Sequence, residues 1–521
     1  MEDIYELIQG LTSSEWASFQ RYLTCFSAHN PVKIKFLHLA EFLIGAKQCP
    51  TEAACILKLY GTKEESGFRV LKLRLKDKIL DFLLSDIALA NQEGLDKVDL
   101  AHIHIKKLSA QFQQLYYSKS RQPIALKLLE EIIAKAKEYE YYFSAVEHLK
   151  FYRGLIGLRK GEKEFERITN EINENLVASN YLLKAETYYQ QLMIMYDFKG
   201  KPEKKLIKEF LKNAILSIKQ GCDTIKSNSV TYYLKFLEMD FYQLQEDHRM
   251  ARRTCLELLE LVRYSKSVYR KQRVAVVYDH LSRCEYYLGS YKNAVSCAQD
   301  AQLHFIPNSE NYCIALEQEY YALFAMKEYA NAGVVAYKMV VSATRKELGE
   351  FRYGKYNYLL ANVLFCERKY REAAGLLSVQ LEISKDKVGW SLGLRILSVM
   401  ILIETQKFDE AGFAVMALKQ FVKNSEKKTP VSLRDKKILN FLLVAEKSSF
   451  NFSKLNVNAD KYLKILSSSD ADHRWEPFTH EVIPFHEWVI AKINRKAAMQ
   501  KELEPKIGGR LLTKTDKLVA F

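Results

Sequence analysis

Tyr291-Lys292-Asn293-Ala294, Tyr329-Ala330-Asn331-Ala332, Tyr370-Arg371-Glu372-Ala373 and Phe408-Asp409-Glu410-Ala411 are copies of one short pattern: an aromatic residue, two others, then alanine. The alanines follow one another at 38, 41 and 38 residues. Self-similarity at a period of this size is the mark of a repeat array. Each aromatic follows one apolar pattern of helical period and opens the next, so the repeating unit is a pair of helices. Small residues such as Ala294 and Ala298 let two helices approach closely, while the aromatic fills the gap at the turn. One such pair cannot bury its apolar face alone and stacks on its neighbour. Upstream, His248-Arg249-Met250-Ala251 is a weaker copy, and Pro123-Ile124-Ala125 opens a helix with Leu128, Leu129, Ile132 and Ile133.

In the first clear copy, Tyr278, Leu281, Ser282, Ala294, Ala301 and Pro307 match the pattern of tetratricopeptide repeats (TPR). The chain resembles that family clearly over residues 274–425 and more weakly over 100–450. It departs from the family at Glu285 and Ala298, where aromatics are usual, and its repeat is longer than the family's ~34 residues. The resemblance implies an all-α fold, a right-handed superhelical α-solenoid of TPR-like helix pairs with helical N- and C-terminal caps. More loosely, the chain is similar to bacterial cytoplasmic proteins that carry a helical module before such repeats. The family's first helices line a groove that holds a protein or peptide. That register places Asp240, Gln243, Asp279, Arg283, Tyr286, Glu317, Tyr321, Asn362 and Phe365 near the groove. Mixed charge with aromatics suits an extended peptide or a helix. The Lys/Asn/Arg set that some such repeats use to clamp a C-terminal carboxylate does not appear in order.

Composition agrees with a helical array. Of 521 residues, 48% are hydrophobic and 27% charged, enough apolar side chain for a large core. Proline (9) and glycine (20) are scarce, which favours long helices with short joints over turn-rich sheets. The formal charge of +15 is spread along the chain and gives only a weak general attraction to polyanions. The nine cysteines form no CxxC pair and read as reduced thiols in a cytosol. The start, MEDIYELIQGLTSSEW, has no basic region followed by an apolar run, and no stretch of about 18 apolar residues is present; neither a signal peptide nor a membrane span is expected.

Residues 1–95 read as an N-terminal helical module. Leu11 to Trp16 starts a helix with Ser or Thr as cap, and Asn30-Pro31 breaks it. The module's last helix carries Arg69, Lys72, Arg74, Lys76 and Lys78. That set suits a winged-helix-like DNA reader or a solvated face of a docking bundle. A second basic stretch, Arg249, Arg252, Arg253, Arg263, Lys266, Arg270, Lys271 and Arg273, is interleaved with Tyr264 and Tyr269. Arginine beside aromatics binds phosphates or stacks bases in some proteins; a solvated inter-helix joint is the plainer reading. Residues 451–521 read as a C-terminal helical cap, with Trp475, Phe478, Phe485 and Trp488 leading into a last helix and a frayed tail from Lys501.

Among catalytic signatures, GxxxxGK[ST], GxGxxG after a strand and HExxH do not occur in the sequence. His473, His480 and His486, with Asp472 and Glu481, match no standard zinc spacing and read as structural histidines. The expectation is a non-enzymatic scaffold or adaptor without metal or cofactor. The alternative is a nucleic-acid-binding regulator with a basic N-terminal module.

Overall fold

The computed structural model describes residues 1–494 except 25–30, 63–65, 86–94, 119–121, 198–203, 223–224, 346–347, 380–382, 384–387, 428 and 453–456. The expected break at Asn30, Cys25 among the nine cysteines, and the tail from Lys501 lie outside the described residues. Among those described there is no strand. The chain divides into two compact units: residues 1–201, 213–234 and 264–270, and residues 202–212, 235–263 and 271 onward.

The first unit opens with α1 (Glu2–Gln9), α2 (Ser13–Thr24), α3 (Pro31–Ile44), α4 (Glu52–Tyr60) and α5 (Phe68–Leu83). Thr12 and Glu15 exchange side chain-to-amide hydrogen bonds at the head of α2, a reciprocal cap that satisfies two otherwise orphaned donors. Thr51 caps α4, which ends at Gly61 with φ +72°, a conformation that glycine adopts without steric cost. The five helices close on Ile4, Ile8, Phe19, Leu39, Leu43, Phe68, Leu75 and Phe82. On α5, Lys72 pairs with Glu52 and Lys76 with Asp3, so two of the five expected cations tie their own bundle together. Arg69 and Arg74 remain exposed.

A second core in this unit forms from α6 (Lys97–Gln113), α7 (Gln122–Glu138), α8 (Tyr142–Tyr152) and α9 (Glu162–Asp197). Ile105, Phe112, Leu129, Ile132 and Leu149 fill it. Then α10 (Lys204–Cys222) and α11 (Asn228–Leu244) contribute residues to both units.

Helix pairs build the second unit: α12 (His248–Tyr264) after α11, then α13 (Lys271–Tyr287) with α14 (Tyr291–His304), α15 (Glu310–Ala325) with α16 (Tyr329–Arg345), α17 (Glu350–Cys366) with α18 (Tyr370–Val379), α19 (Trp390–Glu404) with α20 (Phe408–Glu426), and α21 (Leu433–Glu446) with α22 (Val457–Leu466). A final helix covers residues 485–494. The aromatic-x-x-alanine motif opens α14, α16, α18 and α20, as the sequence implies. Ala294, Ala332, Ala373 and Ala411 are all fully buried.

The joint before each motif is the same structure every time. The residue two positions ahead of the second helix is left-handed: Glu246, Gly289, Lys327, Arg368 and Gln406, with φ from 59° to 76°. The next amide donates back across the turn, as in Ser290 to Glu285, Glu328 to Leu323, Lys369 to Leu364 and Lys407 to Leu402, at 2.8–3.0 Å. This is a Schellman closure, which satisfies the last carbonyls of the first helix and reverses the chain. The motif aromatic then meets an aromatic five residues earlier: Tyr291 on Tyr286, Tyr329 on Phe324, Tyr370 on Phe365, at 5.2–5.4 Å and edge to face. Each such pair adds about 0.5–1.5 kcal/mol beyond area burial. The fourth copy has Ile403 at that place, and Phe408 is left 40% exposed beside Phe450.

The joint also reveals a copy missed in the sequence. Glu140 is left-handed, Tyr141 donates to the Ala136 carbonyl, and Tyr142-Phe143-Ser144-Ala145 opens α8 with Ala145 fully buried. The family departure at Glu285 has a local cause. Its buried carboxylate takes Arg252 Nε at 2.5 Å, so a charge pair stands where an aromatic is usual.

Candidate functional site

The first helices of successive pairs present one continuous row in the second unit, and the chain's own C-terminal stretch lies along it. Arg474 pairs with Glu246 at the end of α11, through hydrogen bonds of 2.5 and 3.0 Å. Phe478 packs against Tyr286 (4.8 Å) and Tyr287 (5.9 Å) of α13 and Tyr321 (4.7 Å) of α15, with the Arg283 guanidinium over its ring at 5.6 Å. The Tyr358 hydroxyl of α17 donates to the His480 carbonyl at 2.6 Å. His480 Nε2 meets Asp435 at 2.9 Å, and Glu481 takes the Arg434 guanidinium in two hydrogen bonds, both residues being on α21. Trp488 Nε1 donates to Glu404 of α19 at 2.7 Å. Four first helices and the end of a fifth therefore touch one short stretch, in their sequence order from Arg474 to Glu481, and α19 meets Trp488 beyond it.

Three of the expected groove residues, Arg283, Tyr286 and Tyr321, meet at the Phe478 ring. Asp279 lies one turn before Arg283. Burial pushes its carboxyl up to about 6; Arg283 opposes that shift and Glu317 adds to it. Asp240, Gln243 and His280 form a polar group between α11 and α13, with Gln243 Oε1 at 3.3 Å and Asp240 at 4.0 Å from His280 Nδ1. Burial drives His280 down to about 3, so it is neutral. Glu317 pairs with Lys355 at 2.6 Å. Asn362 and Phe365 stand apart from the others. Asn362 donates to the Tyr358 carbonyl within its own helix, and Phe365 packs on Tyr370. Glu246, Tyr287, Tyr358, Arg474 and Phe478 also take part in these contacts, and the repeat register does not single them out.

Asp279 gives a pH test. A carboxyl whose folded pKa lies above its unfolded value stabilises fully below the unfolded value, near 3.8, and loses that stabilisation as pH rises through about 6. Asp279→Asn should therefore gain on the wild-type chain between pH 4 and 7, on the order of 2 kcal/mol. Paired urea titrations across that range check it; a pH-independent difference would remove the assigned cause. His280 is common to both proteins and cancels.

Four of the eight cations of the basic stretch are paired with carboxylates. Arg252 pairs with Glu285, Arg253 with Glu257 and Arg263 with the Tyr278 hydroxyl; in the first unit Lys266 pairs with Glu138 and Arg270 with Asp99. Lys271 and Arg273 also have interactions of their own. The three histidines go to separate partners: His473 to Asp470, His480 to Asp435 and His486 to Arg434. Among the described residues no set of three His, Cys, Asp or Glu is placed to hold a metal ion. Burial raises the thiols of Cys55 and Cys313 to about 11 and those of Cys297 and Cys366 to about 12, which keeps them protonated and unreactive. The side chain of Cys222 lies outside the described residues. No helix among the described residues is long and apolar enough to cross a membrane.

The repeated joint, the buried motif alanines and the paired helices decide the fold. This is a tetratricopeptide-like helical-repeat chain. No family model and no curated protein matches it. Among solved structures, the apo form of RapI is similar over 64% of this chain and 86% of its own, at 13% identity and a TM-score of 0.45. A signal transduction ATPase with numerous domains and a tetratricopeptide repeat sensor, from Pyrococcus horikoshii, is similar over 89% of this chain and 71% of its own, at 12% identity and a TM-score of 0.29.

Proposed function

We propose that this protein is a non-enzymatic, cytoplasmic scaffold whose first-helix face holds an extended peptide of a partner protein. One observation carries the reading: Tyr286, Tyr321 and Arg283 surround an aromatic side chain of a non-helical stretch that crosses the repeats. Rigid helices hold these groups in place before any ligand arrives, which lowers the entropy cost of binding. Polar groups spaced along successive helices set register, and the aromatic cage supplies a single deep anchor.

Random short peptides selected against the full chain should converge on sequences with an aromatic anchor. Their affinity should fall at least tenfold, about 1.4 kcal/mol, in Tyr286→Ala and Tyr321→Ala. Undiminished binding in both variants would place the site elsewhere and sink the reading. The nucleic-acid alternative has Arg69 and Arg74 in its favour, the exposed cations of α5. It would replace the scaffold reading if duplex DNA bound with a steep salt dependence that Arg69→Glu and Arg74→Glu abolished.

A further inference from the structure

We propose that residues 474–480 are a built-in occupant of the peptide face, standing in for a partner segment of the chemistry Arg-x-x-x-Phe. This rests on the scaffold reading and names its ligand. The two halves of the C-terminal stretch differ in kind. From Glu481 onward it is core: Val482, Phe485, Trp488 and Val489 are buried, and Glu481 is locked to Arg434. Residues 474–480 are only half-buried and form no regular secondary structure. They are held by recognition chemistry, an arginine on Glu246, an aromatic ring in a cage of three tyrosines and an arginine, and one carbonyl on Tyr358.

The fit beneath this strap is incomplete. Around the Phe478 ring, Arg283 Nε and Tyr321 Oη are buried without a hydrogen-bond partner among the described residues. Phe478 itself is left-handed, with φ +61°, an outlier for a bulky side chain. Pro477 before it has no amide hydrogen to give. A stretch that merely completed a core would leave buried polar groups satisfied. A partner segment free of that left-handed turn seats its aromatic in the same cage without the strain. The strap is thus a weaker copy of the ligand, made competitive by its tether. Short tethers give effective concentrations in the millimolar range, so a free peptide must outcompete it.

The probe is a fluorescein-labelled peptide of residues 471–481, titrated by anisotropy against the full chain. Phe478→Ala and Arg474→Ala, which weaken the strap at separate points, should each bind the peptide at least ~10-fold more tightly than the wild-type chain. Adding Arg283→Ala to either variant, or replacing phenylalanine by alanine in the peptide, should remove that gain. Arg474 sits in a partly exposed pair, so its variant keeps the test sound if Phe478→Ala impairs folding, which circular dichroism reports. Equal affinity in wild type and both variants, still lost in Arg283→Ala, overturns the strap and leaves the scaffold reading intact. No peptide binding by any of these proteins overturns the strap; the scaffold reading falls only if selected peptides also fail.

Discussion

Arg434→Met is expected to lose about 3–5 kcal/mol of stability. Arg434 and Glu481 are 8% and 9% exposed, and the guanidinium meets the carboxylate through Nε at 2.5 Å and a terminal nitrogen at 2.7 Å. The same guanidinium donates to the carbonyls of Leu466 and His473, while Glu481 also accepts the Phe485 amide at 2.8 Å. Removing the arginine strands a carboxylate and two carbonyls away from water, so the cost is far above that of a surface pair. Arg434→Met with Glu481→Leu should recover most of the loss, because two well-packed apolar residues replace a buried pair at little cost. Repeat arrays need not unfold in one step. The readout is therefore the urea midpoint together with hydrogen exchange of the amides from 474 to 489. A single variant within about 1 kcal/mol of wild type, with unchanged exchange, would show that the fork is not what holds this stretch.

That dependence explains how far the sequence could be read. The repeat was legible because one packing problem is solved many times: Ala294, Ala332, Ala373 and Ala411 must be small, and the aromatic three residues before each must fill the turn. Tyr142 to Ala145 obeys the same rule but stands alone upstream, where neighbouring copies are too weak to set a period. The left-handed joint is invisible in sequence, since Glu246, Lys327, Arg368 and Gln406 occupy it where glycine would announce it. In the site, the tetratricopeptide resemblance pointed to Arg283, Tyr286 and Tyr321, which meet at the Phe478 ring. It also pointed to Asn362 and Phe365, whose contacts are with Tyr358 of their own helix and with Tyr370, because register alone does not say which side of a helix faces the next pair. The strap was unreadable as such: Arg474 reaches Glu246, 228 residues upstream, and Phe478 reaches Tyr321 and Tyr286, 157 and 192 residues upstream. One signal was present in α19. Its run from Trp390 to Glu404 is apolar on nearly every side, and Leu392, Leu394, Ile396, Leu397, Val399, Met400 and Ile401 are all buried. A helix buried all round has no solvent face, so something had to cover the row on which it stands.

Gly393→Ala is expected to destabilise the protein by roughly 1–3 kcal/mol, against the intrinsic preference of helices. In mid-helix, alanine is normally better than glycine by roughly 0.5–1 kcal/mol. Gly393 is in α19 where the strap passes. A Cβ there would lie 2.7 Å from the His480 carbonyl oxygen and 2.8 Å from the Tyr358 hydroxyl. Those two atoms are already bonded to each other, so neither yields without breaking the contact that seats the strap on α17. Gly375 provides the opposite case. It is exposed in α18, with nothing within 4 Å of the added Cβ, so Gly375→Ala should gain roughly 0.5–1 kcal/mol. Two identical substitutions in neighbouring repeats are thus expected to differ in sign, and urea unfolding of the two variants beside wild type decides it. If Gly393→Ala stabilised the chain as Gly375→Ala does, the strap would not rest on α19. If it destabilised the chain and also tightened binding of the 471–481 peptide, the lost contact would be the one that keeps the face occupied.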